Sequence, residues 1–483
     1  MNWVRLRPHS LQSRSYGATL TITMSTSENV SAAVARWAAA LRFEQLSVQA
    51  VHQAKRFLLD ALGCALGGYG QPDVGVYLDL MRETAGHGPA RVIGSGAQVD
   101  PLSAALANAL MIRVLDYNDI YWQQDPCHPS DLIPAALACC ERTGSGGTEL
   151  IVSLVLGYEL EMRFCEAAFP GIRERGWHHA TLTAFAAPVV AARALRLDAE
   201  RMRHAIGISG CRMGTFGAVT AGKLSMMKNI VDPLACQSGV LAALLAERGC
   251  TGPEHIIEGK EGLVESLGPA WKLEALTAGL GESWRIERCG MKGFPTEALT
   301  HAPISAVLEL VAAHDLSPQQ VEKVEIRTLA RAADILADPS KYDPRTKETA
   351  DHSLPYCIAA ALVDRQVTPA QFSEDRIMDP TIRAQLRKVE VVADDEAQRH
   401  FPRLQRVAVV ITTTDGRRYE KRLDYPKGDY RNPLTDEEVE RKFDALAERF
   451  VSADVRTRVK RTVWTLEQLG RVSELMALCE ADL

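Results

Sequence analysis

The sequence predicts a mainly α protein in two parts: a large all-helical domain built from both chain ends, and a smaller α+β lid domain inserted between them. Three observations carry this. From about Ser31 to Leu280 apolar residues recur at three- and four-residue spacing; past Cys289 apolar and charged residues alternate instead; and beyond Asn432-Pro433-Leu434 the helical spacing returns and lasts to the end. The division that follows is a tail over 1–29, helical domain over 30–285, lid over 286–428 and helical domain again over 429–483.

Each element has a local reason. Ser47 caps a helix whose apolar positions are Val51, Ala54, Leu58, Leu62 and Ala65, with Gly67-Gly68 to stop it. Asp100-Pro101 supplies a capping acid and then a proline suited to a first helical turn, and Gly147-Thr148-Glu149 opens the run from Leu150 to Ala167. Pro233 precedes the run Leu234 to Glu247, closed by Gly249. These Ala-rich runs are apolar on more than one face and belong inside a bundle. In the insertion, a helix over Ala302 to Ala313 precedes Val321 to Arg327 and Lys388 to Val392, which alternate as half-buried strands. Val407 to Thr413 and Arg417 to Leu423 flank Thr414-Asp415-Gly416 as a hairpin. A cleft at the junction of the two domains is where a site is expected.

Composition narrows the function. The chain has 483 residues, 46% hydrophobic and 24% charged, with a net charge of -6, so no global positive field draws nucleic acid or an anionic membrane. No apolar run approaches the roughly 18 residues of a membrane span. The 11 cysteines are scattered without a C-x-x-C pair, which suits a reducing, cytoplasmic setting and small core residues. Arg5, Arg7 and Arg14 precede the first acidic residue, Glu28; the segment reads as a tail outside the core, a start preceding Met24, or an organelle transit peptide, which would place the protein in a matrix. There is no H-E-x-x-H, no Cys triplet spaced for an iron-sulfur cluster, no Walker loop and no strand-linked G-x-G-x-x-G, so neither metal nor cofactor is expected and side chains alone carry any chemistry.

Five polar clusters interrupt the apolar pattern. Asp116-Tyr117-Asn118-Asp119 precedes Cys127-His128-Pro129-Ser130-Asp131, where carboxylates orient an imidazole suited to proton transfer near neutrality, or simply cap helices. His178-His179 stands before a long apolar helix; adjacent residues of a strand or helix point different ways, so one at most faces a cleft and the pair is poorly suited to one metal. Lys223 and Lys228 lie in an apolar neighbourhood where lysine needs a partner, and either suits a substrate carboxylate. Met291-Lys292-Gly293-Phe294-Pro295-Thr296-Glu297 lies where the period changes, with His301 beyond it, and Asp351-His352-Ser353-Leu354-Pro355-Tyr356 leads into a last apolar helix. A tyrosine hydroxyl at a helix mouth anchors a carboxylate or protonates a leaving group; aromatic packing is the alternative.

Four of these segments, those of Asp116 to Asp131, Lys223 to Lys228, Lys292 to Glu297 and Asp351 to Tyr356, with Asp424-Tyr425-Pro426-Lys427-Gly428 after them, resemble in order and spacing the MmgE/PrpD family over roughly Val30 to Phe450. The resemblance implies a homodimer and a metal-independent enzyme acting on a small polycarboxylate: a dehydratase of the 2-methylcitrate type, with a decarboxylase or epimerase as alternatives and a non-catalytic binding protein as the remote one. Carried onto this chain it implies Asp116, His128, His179 and Tyr356 as catalytic, and His178, Lys223, Lys292 and Glu297 as substrate-binding. Ile120 replaces a threonine common in the family, and Glu297 stands where the decarboxylase branch resembled here has a histidine, so elimination of water is the leading expectation.

Overall fold

The computed structural model describes residues 29–123, 125–212, 214–221, 224–268 and 270–482. The expectations attached to the tail before Asn29, and to Lys223, fall outside the described residues. Asn29, placed with the tail by the sequence, instead caps the first helix, Val30–Ala40, its side chain accepting from Ala32 N–H at 2.7 Å.

The protein is mainly α with small sheets. The helices that frame the site are α1 (Val48–Gly68), α2 (Pro101–Arg113), α3 (Gly147–Ala167), α4 (Ala180–Ala194) and α5 (Met227–Glu247), and from the C-terminal part α8 (Asp436–Ala447). Ser47 and Asp100 cap α1 and α2, and a Thr435–Glu438 capping box opens α8, as the side-chain chemistry of those positions dictates. Between them the lid carries α6 (His301–His314) and α7 (Leu354–Asp364). One hydrophobic core runs from Val30 to Met291 and resumes at Leu434, while a second, from Leu299 to Ile411, belongs to the lid alone. Lys442 of α8 meets Asp60 of α1 at 2.6 Å, so a buried ion pair ties the two chain ends together.

Two sheets matter. The lid sheet has β4 (Val321–Thr328) between the parallel β5 (Val389–Ala393) and the antiparallel β6 (Val407–Thr413), with β7 (Arg418–Leu423) at the edge beside β6. The second sheet sits at the domain junction: β1 (Asp119–Trp122) pairs antiparallel with β2 (Pro126–Cys127) and with β3 (Gly290–Met291). Strands of two to four residues carry no periodic signal, and none of the three was legible in the sequence. Their pairing sets Ile120 opposite Gly290 and so draws Lys292 up to the Asp116 segment. Gly428 closes the junction with a φ of +96°, where a β-carbon would collide with the carbonyl oxygen of Met291.

Pro233 lies inside α5, not ahead of it, because the helix begins two turns earlier and brings Lys228 and Asp232 onto the same element. Wound in full, α5 is long and apolar enough to cross a membrane by length and composition, which the run counted from Pro233 concealed; 67% of its apolar window is buried in the bundle, as in a core helix. All 11 cysteines are free, and all but Cys211 and Cys250 are buried.

Candidate active site

The site grows from the end of α2. Asp116 follows the helix with a φ of +51°, a conformation in which its short side chain turns back into the protein. There its carboxylate, 2% exposed, meets Arg113 at 2.5 Å, Lys292 at 2.8 Å and Lys228 at 3.2 Å. Burial pushes the Asp116 carboxyl up, but Lys228, Lys292 and Arg113 outweigh it and hold the group well below the usual carboxylate range. Lys292 also donates to the carbonyls of Asp116 and Thr296. Lys228 is brought down to about 8 by burial, against the pull of Asp116.

Beside these cations lie three imidazoles. His128 Nδ1 sits 2.6 Å from the carbonyl oxygen of Asp119, which can only accept, so the proton is on Nδ1 and Nε2 is left to accept. Burial, with Arg113 and Lys292 adding to it, keeps the His128 ring neutral. Asp119, not Asp116, therefore orients His128, and it does so through its main chain; its carboxylate is taken by Ser130 N–H and O–H at 2.9 and 2.7 Å. His178 and His179 both line the cavity, contrary to the alternation expected of a strand or helix, because they occupy the turn ahead of α4. Their ring centroids are 3.9 Å apart, and His128 packs edge-on to His179 at 5.4 Å. His178 is held neutral by burial and accepts from Ala180 N–H at 3.3 Å.

Together these groups wall a cavity of about 90 Å³, with Ile120 and Trp122 as apolar sides. The lid adds Glu297 and His352. Glu297 caps a short helical turn by accepting from Leu299 N–H at 2.7 Å, and burial raises its carboxyl. His352 Nδ1 lies 2.5 Å from Asp351, itself paired with Lys347 at 2.9 Å. A larger cavity of about 510 Å³ opens elsewhere at the junction, but its lining holds no histidine, and its lysines, the half-buried Lys347 and the buried Lys442, are each matched by a carboxylate.

Of the residues expected from sequence, the structure brings together Asp116, His128, His178, His179, Lys292 and Glu297. Tyr356 is a correction: it is fully buried in the lid core, where its hydroxyl donates to Gln371 O at 2.5 Å and its ring packs on Phe372. Ser353 caps α7, so the Tyr356 position falls on the inward face of the first turn, and His352, just outside the helix, takes the cavity instead. His301 also stays out, edge-on to Phe294 with Nε2 3.2 Å from Thr296 O. Sequence reasoning missed Arg113, Arg173 and Asp232. Asp232 carried a signal, a lone carboxylate inside an apolar helix one turn from Lys228, and Arg113 carried another at i−3 from Asp116.

The fold and this wall of cations and imidazoles define a protein helical in body and lidded by an α+β domain, with a cavity suited to a small anion. The comparisons agree on the class: residues 32–275 match the MmgE/PrpD N-terminal domain and residues 294–468 the MmgE/PrpD C-terminal domain. The chain belongs to the MmgE/PrpD family. It is 26% identical to the cis-aconitate decarboxylase-like protein oryM of Aspergillus oryzae, over 96% of this chain and 100% of that one. It is 25% identical to cis-aconitate decarboxylase of Homo sapiens (91% and 92% covered) and 27% identical to 2-methylcitrate dehydratase of Escherichia coli (80% and 84% covered).

Proposed function

We propose that this protein is a lyase acting on a small tricarboxylate, and that the reaction is elimination of water from a hydroxy-tricarboxylate of the 2-methylcitrate type. The observation that carries the reading is the Asp116 centre: three buried cations around one carboxylate, beside an imidazole whose Nε2 accepts. A carbon next to a carboxylate gives up its proton only if the negative charge that develops on that carboxylate is met by fixed positive charge. Lys228 and Lys292 are suited to that role, with Asp116 holding both ammonium groups in register. The neutral His128 takes the proton at Nε2. The electron pair left on carbon forms the double bond as the C–O bond breaks, and Glu297, whose carboxyl burial raises toward the protonated form, is the donor to the departing hydroxyl, which leaves as water.

A second reading is decarboxylation of cis-aconitate, favoured by the coverage of the oryM relative across nearly the whole of both chains. There the electrons of the broken C–C bond are delocalised toward the same cations and a proton is added to carbon. Chelator-treated protein incubated with 2-methylcitrate, citrate and cis-aconitate, with products followed by mass spectrometry, separates the two. Loss of water from a hydroxy acid supports elimination, and loss of carbon dioxide from cis-aconitate replaces it with the second reading. No mass change, with no solvent deuterium entering any of the acids, rejects both.

A further inference from the structure

We propose that His178, His179 and Asp232 form a binding site for a divalent cation of the zinc type, and that this cation inhibits the enzyme by occupying the cavity wall beside His128. The inhibition rests on the acid–base reading above; the binding does not.

Two elements build the site. Asp232 lies on α5 one turn beyond Lys228, and the histidine pair occupies the turn ahead of α4, which packs along α5. All three residues are buried, and one donor atom from each lies within 4.8 Å of the others. His179 Nε2 and Asp232 Oδ1 are 3.3 Å apart, yet neither nitrogen of His179 and neither oxygen of Asp232 has a hydrogen-bond partner among the described residues. Two side chains at hydrogen-bond distance but not aimed at each other are aimed past each other. Metal bonds of roughly 2.0–2.1 Å meeting at a tetrahedral angle place their donor atoms about 3.3 Å apart. A cation there replaces a 3.3 Å contact made without hydrogen-bond geometry by direct bonds to both the buried carboxylate and the buried imidazole.

The donor set selects the ion. Two imidazoles and one carboxylate suit zinc or its neighbours, whereas magnesium and calcium need more oxygen than this site offers. With three protein ligands, the fourth position faces the cavity that both histidines line. Arg113 Nε stands 3.6 Å from the second oxygen of Asp232, so the site is weakened by a neighbouring charge, as suits a reversible inhibitor more than a permanent metal.

The test is calorimetric titration of chelator-treated, full-length protein with zinc chloride, in a background where the exposed Cys211 and Cys250 are replaced by serine. One zinc per chain is expected; Asp232→Asn should weaken binding by at least about tenfold, and His255→Ala, at an exposed histidine, should not change it. Cobalt chloride should give the visible absorption of four-coordinate cobalt without a thiolate charge-transfer band. Absence of stoichiometric binding, unchanged affinity in Asp232→Asn, or a six-coordinate cobalt spectrum overturns the site; if the variant does not fold, the cobalt spectrum of the parent decides. Zinc-saturated protein should lose turnover and regain it with chelator. Full turnover at saturation overturns the inhibition alone. A protein without lyase activity fails the catalytic reading while the heat and the spectrum still judge the site.

Discussion

Asp60 and Asp116 are equally buried, each 2% exposed, and each faces lysine, but they do different work. Asp60 has one close partner, Lys442 at 2.6 Å, and burial leaves its carboxyl above the ordinary value. Asp116 has three cations, which overcome the same burial and hold it far below. The first pair is balanced and joins the two ends of the chain. Around the second, Arg113, Lys228 and Lys292 all lie within 3.2 Å of one carboxylate, three cations to one anion, while burial beside Asp232 raises the Asp131 carboxyl well above its ordinary value. That surplus is the charge an anionic substrate completes. A buried ion pair alone is weak evidence of function; one that is out of balance at a cavity wall is much stronger.

Breaking each centre sharpens the contrast. Asp116→Asn leaves three buried cations without their anion, and Lys442→Met leaves Asp60 without its cation; each should lower stability by about 3–5 kcal/mol in urea unfolding. Only Asp116→Asn should also abolish turnover at temperatures where the variant stays folded. For Asp116 the depressed pKa fixes the sign: its stabilisation is present above the unfolded value and is lost as pH falls through the folded one. His128→Gln should lower kcat by roughly 10²–10⁴ with stability little changed, and retained activity would remove it from proton transfer. Lys228 is cationic below about 8 and neutral above, so KM for the tricarboxylate should rise as pH climbs through that value, and Lys228→Met should raise KM and flatten the rise. The smallest effect belongs to Tyr356→Phe, which loses one hydrogen bond in the lid core, about 1 kcal/mol, with kcat unchanged.

The helices, their caps and the lid strands were legible because period and capping are local properties: Ser47, Asp100 and the alternation from Val321 act within a few residues of themselves. The junction sheet was not legible, since Asp119–Trp122 becomes a strand only by pairing with segments that are remote or too short to signal. The site divides the same way. His128 and Lys292 stood out as polar residues in apolar surroundings, whereas Tyr356 and His352 sit in one motif and the helix start at Ser353 decides that the tyrosine turns inward and the histidine before it faces the cavity. The partner that orients His128 is a main-chain carbonyl, which any residue at 119 supplies and no sequence pattern reports.

The account turns on the unbalanced positive charge around Asp116. Its most direct measurement is calorimetric binding of propane-1,2,3-tricarboxylate, which has the three carboxylates and no hydroxyl to lose, to the parent and to Lys228→Met at about pH 7 and about pH 9. Binding to the parent that weakens at the higher pH, and is weak at both in Lys228→Met, is the predicted result. Equal affinity in parent and variant at both pH values would contradict it.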